Sequence, residues 1–119
     1  MIEAVSRVIE ELKRYSEVKA IILFGSHAKG KVKPISDIDI AVLFKDPDLE
    51  AEIASYSSNV LDVVNFSRLP LYIQFEVLKH GKTLFVRDEE FLTRIKMEVL
   101  RDYLEMSYLY ERMSERALA

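Results

Sequence analysis

The sequence predicts an α/β (or α+β) domain, on three observations. Short apolar runs rich in β-branched residues alternate with amphipathic stretches over the first 86 residues. The length of 119 residues is that of one ordinary domain. Half of the residues are hydrophobic, which is enough to build a core. No repeat, low-complexity tract or linker divides the chain, so residues 1–119 read as a single unit. Within it, residues 1–87 form a core and residues 88–119 a terminal helix.

The elements follow in order. Val5, Val8, Ile9 and Leu12 make one stripe of an amphipathic helix over residues 2–14. Residues 20–24 are continuously apolar and stop at Gly25, the pattern of a buried strand. Residues 26–30 suit a short helix closed by Gly30, and Pro34 marks a loop. Residues 38–44 are a second strand, ended by Lys45-Asp46-Pro47, and residues 49–56 a helix. Residues 60–66 are a third strand. Ser67 is placed to cap the next helix, whose Leu71, Phe75 and Leu78 share a face and which His80-Gly81 ends. Residues 83–86 are a fourth strand, and the chain from Asp88 onward is one long helix.

Composition excludes several classes of function. There is no cysteine, hence no disulfide and no thiolate metal site. The N-terminus lacks the layout of a signal peptide, and the longest apolar strand run is too short to span a bilayer. A cytoplasmic location with no membrane contact is the expectation. A net charge of −3 argues against direct nucleic-acid binding, which draws on a basic excess.

Three features point to chemistry. Gly25-Ser26 stands at the mouth of a buried strand before a short helix. Free N–H groups, a close backbone approach at Gly25 and the Ser26 hydroxyl suit a phosphate there. On its own the pair is also an ordinary turn. Ser36-Asp37-Ile38-Asp39 puts two carboxylates on one face of a strand, because side chains two apart point the same way. At about 4 Å they would repel by about 4 kcal/mol at an effective dielectric of about 20, and a hard divalent cation such as Mg²⁺ reverses that sign. The plain alternative is a pair of solvated groups at a strand start. Asp62 interrupts the third apolar strand and joins the pair if that strand lies beside the second. Its plain alternative is a charge that protects a sheet edge.

Together, Gly25-Ser26, Asp37-x-Asp39 and the downstream Asp62 resemble the nucleotidyltransferase superfamily that includes DNA polymerase β. The likeness is to its minimal nucleotidyltransferase (MNT) subgroup and covers nearly the whole chain. Ala28-Lys29-Gly30, Ser36 and the stretch from Asp62 to Pro70 add to it. The resemblance implies the nucleotidyltransferase fold: a mixed sheet of about four strands, helices packed on one side, and the long C-terminal helix. It implies that Gly25, Ser26 and Lys29 meet the nucleotide, and that Asp37, Asp39 and Asp62 are catalytic and hold two Mg²⁺ ions. Lys29 stands where many members have Arg. His27 in the phosphate loop is left without a role, and His80 reads as a structural residue at a helix end.

Independent of the resemblance, one triphosphate can meet both Gly25 and Asp37 only if the first two strands are antiparallel neighbours. The implied reaction is transfer of AMP from ATP to a hydroxyl. Members of the MNT subgroup act as antitoxins to a helical HEPN-type toxin. The resemblance therefore implies a hetero-oligomer with such a partner, a tyrosine of the toxin as acceptor, and a type VII toxin–antitoxin pair. Leu92, Ile95, Val99, Tyr103, Met106, Tyr110 and Met113 form a seam of roughly 3.5-residue period along the last helix. Its first half is expected on the sheet and its second half as a docking surface. Two other readings stand beside transfer to a protein. One is a module that neutralises its partner by docking alone. The other is transfer to a small-molecule hydroxyl.

Overall fold

The computed structural model describes residues 3–25 and 38–118, the last two through their backbone only. It contains strands β1 (Ala20–Phe24), β2 (Ile38–Leu43), β3 (Leu61–Asn65) and β4 (Lys82–Val86). The helices are α1 (Glu3–Leu12), α2 (Glu50–Ala54), α3 (Leu71–His80) and α4 (Glu89–Leu118). The sheet order is β3-β2-β1-β4. β1 runs antiparallel to β2 and to β4, and β2 runs parallel to β3. This is the mixed four-stranded sheet expected, and the first two strands are the antiparallel neighbours that the triphosphate argument required.

The helices lie differently from the expectation of cover on one side. Ile21, Leu23, Ile38, Ile40, Val42, Leu61 and Val63 pack with Val5, Ile9 and Leu12 of α1 and Ile53 of α2. The alternate positions Ala20, Ile22, Ala41 and Leu43 pack with Val77 of α3 and with Phe91, Leu92 and Val99 of α4. Both faces of the sheet are therefore covered. The reason is visible in β1 and β2, where nearly every residue is buried. A strand apolar at both parities needs a layer on each face.

Local signals set the ends of the elements. The Asp46 side chain accepts from the Asp48 N–H and starts the 3-10 turn Pro47–Leu49 that precedes α2. Ser67 does not cap α3. It lies inside a second 3-10 turn, Phe66–Arg68, whose cap is Asn65, and both the backbone N–H and the hydroxyl of Ser67 donate to Asn65 Oδ1. α3 begins only after Pro70, which cannot extend a helix backwards and so separates turn from helix. Asp88 caps α4 by accepting from the Phe91 N–H at 3.0 Å. Arg87, just before it, donates to the carbonyls of Val18, Lys13 and Tyr15. That side chain ties the exit of β4 to the loop between α1 and β1.

α4 is a 30-residue helix, about 45 Å long, against a longest molecular extent of 55 Å. Phe91, Leu92 and Val99 are buried, while Met106, Tyr110 and Met113 farther along are exposed. The seam thus divides as its sequence suggested. A second exposed apolar stripe, Met97, Leu100, Leu104 and Tyr108, lies on the opposite side of the helix at three- and four-residue spacing. Among the described residues, no helix is long and apolar enough to cross a membrane.

Candidate active site

Gly25 closes β1 with a φ of +80°, a left-handed conformation that any side chain would strain. A Cβ at that position would lie 2.7 Å from Asp39 Oδ2. The turn and the carboxylate are therefore in direct contact, and only a residue without a side chain leaves the carboxylate where it is. The pairing of β1 with β2 accounts for this closeness, because Phe24, the neighbour of Gly25, is the register partner of Asp39.

Asp39 is in turn the register partner of Asp62 on the parallel strand β3. Residues in register on neighbouring strands point to the same face, about 4.8 Å apart along the hydrogen-bonding direction. That face is the one shared with Ala41 and Leu43, toward α3 and α4. Asp39 is half-buried and Asp62 exposed. β3 is an edge strand, so the charge of Asp62 also guards a sheet edge, and the two roles are compatible.

Two acceptor-only carboxylates side by side fit a hard divalent cation such as Mg²⁺. Among the described residues no cluster of three metal-binding side chains forms. Asp37, which was expected to be the third, lies outside the described residues, as do Ser26, His27 and Lys29.

Gly25 also borders a cleft of about 470 Å³ between the end of β1 and α3. Its walls are Phe24, Gly25, Tyr72, Ile73, Glu76, Val77, His80 and Gly81. Tyr72, Glu76 and His80 recur every four residues and so present one face of α3. His80 Nε2 lies 3.9 Å from Glu76 Oε2. His80 ends α3 as expected but also faces this cleft. In the sequence, Leu71, Phe75 and Leu78 mark only the apolar face of α3. The same four-residue spacing, applied to the polar and aromatic positions, would have found the second face.

Known proteins similar to this chain point to a family. The family model described as "Polymerase beta, Nucleotidyltransferase" matches residues 6–90. The Methanocaldococcus jannaschii protein MJ1547, classed among protein adenylyltransferases, is 40% identical over 70 residues. That alignment covers 59% of this chain and 57% of MJ1547, so the chain spans little more than half of that relative. Protein adenylyltransferase MntA of Aphanizomenon flos-aquae is 25% identical over 112 residues, covering 80% of this chain and 75% of that one. A solved complex of tri-AMPylated Shewanella oneidensis HEPN toxin with its MNT antitoxin matches in fold. There the TM-score is 0.68 at 21% identity, with 98% of this chain and 97% of that chain covered. From the match over residues 6–90, and from a sheet that carries Gly25, Asp39 and Asp62 to one end and one face, the chain belongs to the polymerase beta nucleotidyltransferase family.

Proposed function

We propose that this protein is a cytoplasmic, Mg²⁺-dependent adenylyltransferase that moves AMP from ATP to a tyrosine hydroxyl of a HEPN-type toxin, acting as the antitoxin of the pair. The observation that carries this reading is the register of Asp39 with Asp62, together with the contact between Gly25 and Asp39. The relatives named for protein adenylyl transfer, and the toxin complex of the same fold, support the choice of a protein acceptor.

In this reading each residue has a distinct task. Gly25 lets the backbone come close to the triphosphate, and Ser26 and Lys29 donate to its oxygens. Asp37, Asp39 and Asp62 would hold two Mg²⁺ ions, which when bound neutralise phosphate charge and acidify the attacking hydroxyl. Asp62, on the exposed side of the pair, faces the incoming acceptor and takes its proton. The tyrosine oxygen bonds to the α-phosphorus as the bond to the β-phosphate oxygen breaks, and pyrophosphate leaves. Most of the acceleration comes from alignment and from charge already in place.

The exposed apolar end of α4 favours a second reading, in which docking alone neutralises the partner. One experiment separates the two. Wild type and Asp39→Asn are incubated with Mg²⁺, labelled ATP and the co-purified partner. Transfer lost together with neutralisation supports the enzyme. Full transfer in Asp39→Asn refutes it, and neutralisation that survives loss of transfer supports docking.

A further inference from the structure

We propose that the cleft between Gly25 and α3 seats the purine ring of the donor nucleotide, with Tyr72 as the residue that stacks on it. The proposal deepens the adenylyl-transfer reading and rests on it. Three observations carry it. First, Gly25 is common to the cleft and to the Asp39 contact, so one ligand can reach both. Second, the two sides of Gly25 differ in chemistry. Asp39 and Asp62 supply a cation site for phosphates. The cleft is walled by Phe24, Tyr72, Ile73 and Val77, with the Glu76–His80 pair at its rim, a largely apolar lining that accepts a flat ring. The charged end of a nucleotide is thereby directed to one side of Gly25 and its base to the other.

Third, Tyr72 stands at the cleft as a large aromatic ring that folding leaves 57% exposed. Sequestering a flat ring against it removes apolar surface from water on both partners. An acceptor peptide in the same cleft would meet the same apolar walls, but it would have no reason to depend on the base.

The test measures binding of ATP and of inorganic tripolyphosphate, each with Mg²⁺, to the full chain as wild type, Tyr72→Ala and Tyr72→Phe. Because Tyr72 is mostly exposed, both variants are expected to fold. Wild type should bind ATP more tightly than tripolyphosphate. Tyr72→Ala should lose about tenfold in ATP affinity, the scale of one base–aromatic stack, with tripolyphosphate unchanged. Tyr72→Phe should match wild type. ATP binding that is unaltered in Tyr72→Ala, or an equal loss for both ligands, overturns the base seat while leaving the transfer reading intact. Failure of wild type to bind either ligand overturns both.

Discussion

The ring of Phe75 lies flat on that of Tyr103, with centroids 3.9 Å apart and planes within 4°. The stack joins α3 to α4, and beyond it the large apolar side chains of α4, from Leu104 through Met113, are exposed. It therefore marks the point where α4 leaves the body of the domain. Tyr103→Ala should lower stability by about 1–3 kcal/mol, as loss of a half-buried stacked ring does. Tyr103→Phe, which keeps the stack, should stay within about 0.5 kcal/mol of wild type. Urea denaturation of the two variants checks both values.

Gly25→Ala separates steric from chemical effects. The left-handed backbone costs an alanine about 1–2 kcal/mol, and its methyl would press on Asp39 Oδ2. A modest fall in stability is expected alongside a drop in transfer rate of more than about tenfold, since small misplacement of a reacting group is costly. Thermal denaturation and a transfer assay on the same preparation test this. Equal transfer in variant and wild type would show that Asp39 can move without consequence.

The free end of α4 gives a binding prediction. Tyr110 and Met113 are 73% and 69% exposed, so Tyr110→Glu or Met113→Glu should change stability by no more than about 0.5 kcal/mol. Affinity for the proposed HEPN-type partner should fall by about tenfold or more, as for side chains at the centre of a contact. Met97→Glu, on the opposite stripe, is the control. Calorimetric titration of the partner tells which of the two faces docks.

Much of this was legible before any coordinates, because the carrying signals are periodic. The apolar runs located the strands, and Asp39 falls on the second of them. Three things were not legible, each for a physical reason. The pairing of Asp62 with Asp39 depends on β2 and β3 being parallel neighbours in register, which no local pattern encodes. Ser67 and Asn65 are both good caps, and only the chain's path decided for Asn65. The helices on both faces were foreshadowed by the unbroken burial of β1, yet one-sided cover was carried over from the resemblance. For the candidate site, the contact of Gly25 with Asp39 follows from the antiparallel pairing of β1 and β2, while the cleft along α3 was missed because its polar stripe was not traced.

Arg68 and Glu50 lead to a pH prediction. Arg68 Nε donates to Glu50 Oε1 at 2.8 Å and Nη2 to Oε2 at 3.0 Å. Chiefly through that hydrogen bonding, Arg68 holds the Glu50 carboxyl below its ordinary 4.5. A depressed folded-state pKa favours the fold above the unfolded value, and the benefit is lost as pH falls through the folded one. Both side chains meet solvent, so the contribution is small and falls further with salt. In Arg68→Ala the Glu50 carboxyl should titrate closer to 4.5, read by carbon NMR. An unchanged Glu50 titration would mean that another group sets it.

Gly81, which lines the cleft together with Gly25, has a role of its own. A Cβ there would lie 2.2 Å from the Val77 carbonyl oxygen and 2.6 Å from Ile22 Cγ2. With only a hydrogen at that point, the last turn of α3 sits flush on β1. Gly81 thus acts as the shim that sets how far apart the two walls of the cleft stand. A side chain of any size would prise the helix from the strand and change the gap. In a domain this small, the width of a cleft is set by a residue whose contribution is its lack of bulk.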